Sequence, residues 1–406
     1  MILLGLTIAV VGITAAAHFG GILLLLARPR SVGRPALARP PVTLLRPCCG
    51  IENDIEETLS SAFDLDYPDY EILFCVAEDD DPVVPLIRGL IARHPDRPAR
   101  LLVGDDRIGI NPKVNNLVKG WRTAAHDWLA IIDSNILMPR DYLDRVLERW
   151  RPDTGLLSSP PVGIRPQGIG AELECAFLNT FQARWLLIAD ALGAAFAHGK
   201  TMLWRREDLD TAGGIEALAV DPAEDAAFTK LIRASGRTVR LVIDPFAQPL
   251  GVRRLDGVWR RQLRWARLRR ASFPLVYVSE AVSGGLPPLA GTAALVAVGI
   301  LPAVWLSGLF IAWYGAEIVL ARRYGWPASP RIAVLMVVRD LLLLPLWISG
   351  WAGSRVVWRG HAIDIKPADR RPLRRLAGRW RSFVMMPPTR RRSTAKMEQG
   401  DDPRSG

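Results

Sequence analysis

The chain has 406 residues, 50% of them hydrophobic and 23% charged, with a formal net charge of +11. It is too long for one ordinary domain and too apolar for a simple soluble enzyme. The basic excess concentrates in residues 358–406. Beside apolar spans such a tail points to anionic lipid, and no motif accompanies it that would make nucleic acid a partner.

In chain order, residues 1–27 are apolar apart from His18 and a few small polar side chains. They start without a basic region and end without a small-residue cleavage site, so a retained transmembrane anchor is expected rather than a signal peptide. The length suits one span. Arg28, Arg30, Arg34 and Arg39 follow, which sets the C-terminal side of this helix in the cytosol of a bacterial cell. Residues 28–41 form a Pro-rich, stiff linker.

Residues 42–274 read as an α/β domain. Short apolar runs at 42–45, 70–76, 99–103, 128–132 and 156–158 alternate with helical patterns, as in a mostly parallel sheet. A run such as Ile72-Leu73-Phe74-Cys75-Val76 is apolar on both faces, which suits a strand covered by helices on each side. Residues 284–357 form a C-terminal transmembrane region, expected to hold two spans, with Arg339-Asp340 as a neutralised couple inside it. The four cysteines Cys48, Cys49, Cys75 and Cys175 match no zinc spacing and read as reduced thiols, a redox-active vicinal pair being the alternative.

Acidic clusters follow the second and fourth runs, where ligands bind in open α/β sheets. In Glu78-Asp79-Asp80-Asp81 a carboxylate can accept from a uracil or ribose; the same residues also suit a charged loop ahead of a helix. In Asp133-Ser134-Asn135, Asp133 can hold Mg²⁺ or Mn²⁺, which bridges readily to phosphate. Glu224-Asp225 opens a helical run and reads either as an acidic first turn or as a general base. Lys113, in Gly109-Ile110-Asn111-Pro112-Lys113-Val114-Asn115-Asn116-Leu117, meets a phosphate or nucleobase, or is solvated. His198-Gly199-Lys200 falls near the acceptor side, with His198 the usual structural histidine. In Arg261-Gln262-Leu263-Arg264-Trp265 two arginines three apart lie together on a helix with an indole beside them. An Arg fork can hold a diphosphate and the indole can close over a sugar or lipid head; a solvated basic helix ahead of a span is the alternative.

Asp81, Asp133, Glu224-Asp225 and Arg261-x-x-Arg264-Trp265 ahead of apolar spans together resemble the family-2 glycosyltransferases. The closer resemblance, carried also by Leu44-Leu45-Arg46-Pro47, Asp66-Tyr67-Pro68-Asp69-Tyr70, the Gly109–Leu117 stretch and Ala212-Gly213-Gly214, is to the ceramide glucosyltransferase family, family 21. It implies a GT-A fold, Rossmann-like with a mostly parallel sheet, flanked by N- and C-terminal transmembrane helices. It implies an inverting enzyme moving glucose or a similar hexose from a UDP-sugar to the primary hydroxyl of ceramide. Asp81 and Lys113 would then bind the UDP-sugar, Asp133 would bind a divalent metal and the diphosphate, and Asp225 would be the base. Arg261, Arg264 and Trp265 would close over diphosphate and acceptor. Two positions depart: Asn135 stands where many relatives carry a second Asp, and Gln182 where the animal enzymes carry His. A hopanoid polyol acceptor with an N-acetylglucosamine donor, a polysaccharide synthase and a non-catalytic membrane scaffold are the alternatives.

Overall fold

The computed structural model describes residues 1–30, 38–358 and 361–365. The expectations placed on most of the basic tail, on Arg34 and on half of the linker fall outside these residues.

Nine strands organise residues 42–252: β1 (Val42–Pro47), β2 (Tyr70–Val76), β3 (Ala99–Val103), β4 (Trp128–Ile132), β5 (Thr154–Ser158), β6 (Val162–Gln167), β7 (Thr201–Arg205), β8 (Thr238–Leu241) and β9 (Ala247–Val252). Seven form one sheet in the order β3-β2-β1-β4-β7-β5-β8, and β6 and β9 pair separately. All neighbours in the large sheet run parallel except β7, which is antiparallel to both β4 and β5. The mostly parallel α/β domain expected of a GT-A fold is therefore present.

Both faces of the inner strands are buried, which is why a strand such as β2 or β4 reads as a nearly unbroken apolar run, while the edge strand β3 is partly exposed. Side chains alternate across the pleat. Leu44, Ile72, Phe74, Ala130 and Ile132 join one core, while Leu45, Leu73, Cys75, Leu129 and Ile131 join the other. The second core also takes Val114 and Leu117 from the helix Pro112–Thr123 and Phe228 and Ile232 from the helix Glu224–Ala234. The chain runs outward from β1 through β2 to β3 and then returns to set β4 on the other side of β1, so a topological switch point lies between β1 and β4. Ligand crevices form beyond the carboxyl ends of the strands at such a point.

Among the described residues three helices are long and apolar enough to cross a membrane: Ile2–Ala27, Val304–Arg323 and Ile332–Trp351. A shorter apolar helix, Leu286–Ala297, precedes the second, and Gly299 in the left-handed region (φ 75°) separates the two. The last of these helices ends at Trp351, short of residue 357 where the expected transmembrane region stops. The chain turns at Gly353 (φ 92°), and Arg355–Trp358 is a strand paired antiparallel with His361–Asp364.

Arg339 and Asp340 are more than a couple. The Arg339 guanidinium meets Asp340 at 2.8 Å and both carboxylate oxygens of Glu317, at 2.9 and 3.2 Å, on the preceding span. Arg184 lies 3.4 Å from Glu317 and donates to Nδ1 of His18 at 2.9 Å. Asp340 also accepts from the Tyr314 hydroxyl and the Gly285 amide. Each buried charge thus has an opposite partner, the condition under which ionisable groups persist among apolar helices. The π-helical turn Ala176–Ala183 adds Thr180, whose hydroxyl accepts from Arg339.

Candidate active site

A cavity of about 910 Å³ opens beyond the carboxyl ends of β1 and β4. Pro47, Cys48 and Cys49 come from the first strand end, and Asp133, Ser134 and Asn135 from the second.

Lys113 is the hub of the floor. Asn111 caps its helix by accepting from the Lys113 and Val114 amides at 3.0 and 3.2 Å, and Pro112 takes the first helical position, where a missing N–H costs nothing. The same Asn111 donates to Glu224 Oε2 at 3.1 Å. Lys113 Nζ then reaches Asp133 Oδ1 at 2.6 Å, Glu224 Oε1 at 2.7 Å and the Gly199 carbonyl at 2.7 Å. Those contacts use all three of an ammonium's donors. Lys113 is therefore engaged with protein groups, and it ties together two carboxylates from distant parts of the sequence.

A second ammonium lies on the other side of Asp133. Lys200 immediately precedes β7, and the antiparallel register Ile132↔Thr201 sets it beside Asp133. Its Nζ is 3.0 Å from Asp133 Oδ2 and 2.9 Å from Asn135 Oδ1. Asn135 in turn donates to Glu52 Oε2 at 2.8 Å. Burial opposes ionisation of Asp133, but Lys113 and Lys200 outweigh it and hold the carboxyl well below the usual carboxylate range. Burial likewise works against the charge of Lys113, and Asp133 with Glu224 reverses the balance and raises it.

Glu224 and Asp225 do form the first turn of a helix, and they also face the cavity. Asp225 Oδ2 accepts from the Gly199 amide at 2.9 Å and Oδ1 from the Ala226 amide at 2.7 Å. Burial in the cleft, with the Glu224 carboxylate adjacent, pushes the Asp225 carboxyl up to about 7. A carboxyl poised near neutral pH suits proton transfer.

The helix Leu255–Ser272 crosses this floor and contributes Arg261, Arg264 and Trp265 to the wall. Arg261 is paired with Glu174, a carboxylate 1% exposed, and Arg253 lies 3.7 Å from the same group. Trp265 stands edge-on to His198, ring centroids 6.1 Å apart. Burial, then the neighbouring Lys200, lowers His198 to about 3, so this imidazole is neutral. Gln182 donates to Gln262, one residue after Arg261.

Six of the seven expected site residues (Lys113, Asp133, Asp225, Arg261, Arg264 and Trp265) therefore line one cavity. Asp81 does not: its carboxylate accepts from the Gly50 amide and from the Val83 amide, each at 2.9 Å. It steadies the loop that carries Cys48 and Cys49 and satisfies a turn ahead of the helix Val84–Arg93. Sequence patterns give no sign of Glu174, Glu52 or the role of Lys200, because only contacts between distant segments reveal them. Lys200 sits at Asp133.

The far wall is apolar. It includes Ile13 and Ala17 of the first helix, with Trp185, Phe273 and Val276. One cavity thus joins an ionisable floor to a surface suited to hydrocarbon.

The chain is similar to several known proteins. Residues 2–370 match the family described as glycosyl transferase family 21. The chain is 29% identical to the ceramide glucosyltransferase of Komagataella phaffii, over 82% of this chain and 84% of that protein. It is 30% identical to ceramide glucosyltransferase 1 of Caenorhabditis elegans, over 59% of this chain and 52% of that protein. Among solved structures it is similar to a mannosyltransferase from Pyrobaculum calidifontis in complex with GDP-Man and Mn²⁺, with 22% identity and a TM-score of 0.49, covering 82% of this chain and 98% of that one.

Proposed function

Because this chain belongs to glycosyl transferase family 21, we propose that it moves glucose, or a similar hexose, from a UDP-sugar to the primary hydroxyl of a ceramide-like lipid, with inversion. It is a sugar-transferring enzyme with apolar helices of membrane-spanning length. The supporting observation is the single cavity in which Asp133 and Asp225 share walls with Ile13 and Ala17 of the first span. A nucleotide-sugar and a lipid hydroxyl must meet where a polar floor adjoins an apolar entrance.

In this reading Asp225 accepts the proton of the acceptor hydroxyl. The hydroxyl oxygen bonds to the anomeric carbon as the bond from that carbon to the diphosphate oxygen breaks, and UDP leaves with the electron pair. Asp225 is held by the Gly199 and Ala226 amides, so its orientation is set before substrate arrives. Arg264 and Arg261 on the wall offset the charge that grows on the departing diphosphate, and electrostatic help of this kind commonly lowers the barrier more than any other single effect. Trp265 covers the hexose and the acceptor head.

Asp133 is the carboxylate that would hold a hard divalent ion delivered with a diphosphate, with Lys200 giving way at Oδ2. Its oxygens are hard donors, and Mg²⁺-like ions keep water and substrate phosphates as their other ligands. Among the described residues no three His, Cys, Asp or Glu side chains gather into a ready-made cage. Bound there, the ion would add neutralising charge at the diphosphate. The arginines after the first span favour a cytosolic catalytic domain.

The test is direct. Purified protein in lipid nanodiscs is given ceramide with UDP-glucose, UDP-galactose or UDP-N-acetylglucosamine, and a parallel set receives a hopanoid polyol. Mass spectrometry should detect a hexosylceramide, and NMR a β-linkage, with none from D225N. A glycolipid absent from every ceramide reaction would overturn the reading.

A further inference from the structure

Lys200 occupies the place around Asp133 that a metal ligand set would be expected to fill. Asp133 has both carboxylate oxygens on ammonium groups, Oδ1 on Lys113 at 2.6 Å and Oδ2 on Lys200 at 3.0 Å. The position two residues on, where an acid would add a second hard donor, is Asn135. Its carbonyl accepts from Lys200 at 2.9 Å and its amide donates to Glu52. The site is thus wired to hold a cation that belongs to the chain.

The two lysines are not equivalent. Lys113 has its three donors committed to Asp133, Glu224 and the Gly199 carbonyl. Among the described residues Lys200 uses two, on Asp133 and Asn135, and its side chain lines the cavity. The Asp133 amide donates to the Lys200 carbonyl at 3.1 Å, so the base of this side chain is fixed to the end of β4 while its four-carbon stem can turn. A divalent ion taking Asp133 Oδ2 meets Lys200 there, and like charges at that spacing repel.

Resting on the reading of this cavity as a nucleoside-diphosphate site, we propose that Lys200 is a diphosphate-binding residue that competes with divalent metal for Asp133 and takes over part of the metal's charge-neutralising role. A diphosphate arriving without metal is met by the Lys200 ammonium. One arriving with metal displaces Lys200 from Oδ2, and the freed ammonium meets the outer phosphate oxygens.

Lys200→Met, Lys200→Arg and Asn135→Asp proteins, first checked for a wild-type thermal transition, are titrated with UDP by calorimetry in EDTA and in Mn²⁺. Wild type should bind UDP in EDTA. K200M should lose about 10- to 100-fold in EDTA, the cost of one charge-assisted hydrogen bond, and recover most of it in Mn²⁺. K200R should retain metal-free binding. Mn²⁺ alone, followed by electron paramagnetic resonance, should bind more tightly to K200M and to N135D than to wild type. Wild type that binds UDP in Mn²⁺ but loses it in EDTA as fully as K200M overturns the role of Lys200 alone. UDP that binds wild type under neither condition overturns the nucleotide site itself.

Discussion

The Gly199 amide donates to Oδ2 of Asp225 at 2.9 Å, and the same glycine leaves no space for a side chain on its other face. A Cβ there would lie 2.6 Å from Glu224 Oε1 and 3.3 Å from Lys113 Nζ. Gly199→Ala must push apart the hub that aligns Asp133 with Asp225. Overpacking of this kind costs about 1–3 kcal/mol. The expected outcome is a lowered thermal midpoint and at least about tenfold lower kcat, about 1.4 kcal/mol in the barrier. Unchanged kcat would show that the hub tolerates the shift.

The Asp225 carboxyl, pushed up to about 7, gives a signed pH dependence. As a base it works ionised, so kcat/KM should rise about tenfold per pH unit below about 7 and level off above. Asp225→Asn should lower turnover by about 100- to 10,000-fold. Stability moves the opposite way. An acid whose folded pKa exceeds its unfolded value, about 4, contributes stability at low pH that is lost as pH rises through the folded pKa. The D225N protein does not titrate there. Its thermal midpoint relative to wild type should climb between about pH 4 and 7 and stay constant above. A flat difference across that window would contradict the shifted carboxyl.

Lys113→Met removes the shared counter-charge of Asp133 and Glu224. Leaving a buried charge without its partner costs about 3–5 kcal/mol. Chemical unfolding in detergent should show that loss, and K113M/E224Q should recover part of it, because Asp133 keeps Lys200 at 3.0 Å and the carboxylate left without its counter-charge is then neutral. A double mutant no more stable than the single would mean the hub is not held by charge.

Ala17 tests the apolar wall. Ala17→Phe fills part of the cavity from the first helix. Acceptor KM should rise several-fold while UDP affinity, measured by calorimetry, stays the same. Equal losses on both would place the lipid elsewhere.

Much of the domain is legible in the sequence for one reason. Strands covered on both faces leave nearly unbroken apolar runs, so β2 and β4 can be read to the residue. Asp133 and Asp225 stand out because one follows a strand and the other opens a helix. Their partners are hidden. Lys200 meets Asp133 because β7 runs antiparallel beside β4, and a chain-order reading of alternating strands and helices does not give that neighbour. Glu174 lies 87 residues from Arg261, in a helix whose apolar surroundings give no sign of a buried ion pair. The Asp81 cluster is ambiguous for a physical reason: carboxylates that serve a turn and carboxylates that serve a nucleotide have the same composition.

The helix Ile2–Ala27 supplies Ile13 and Ala17 to the cavity wall and His18 to the buried charge network. It therefore lines the same cavity as Asp133 and Asp225. A truncated protein beginning after the linker would dissolve more readily, yet it would present an open-sided cleft and an Arg184 stripped of its imidazole neighbour. Screening inhibitors on such a fragment would select compounds for a surface that the intact enzyme covers.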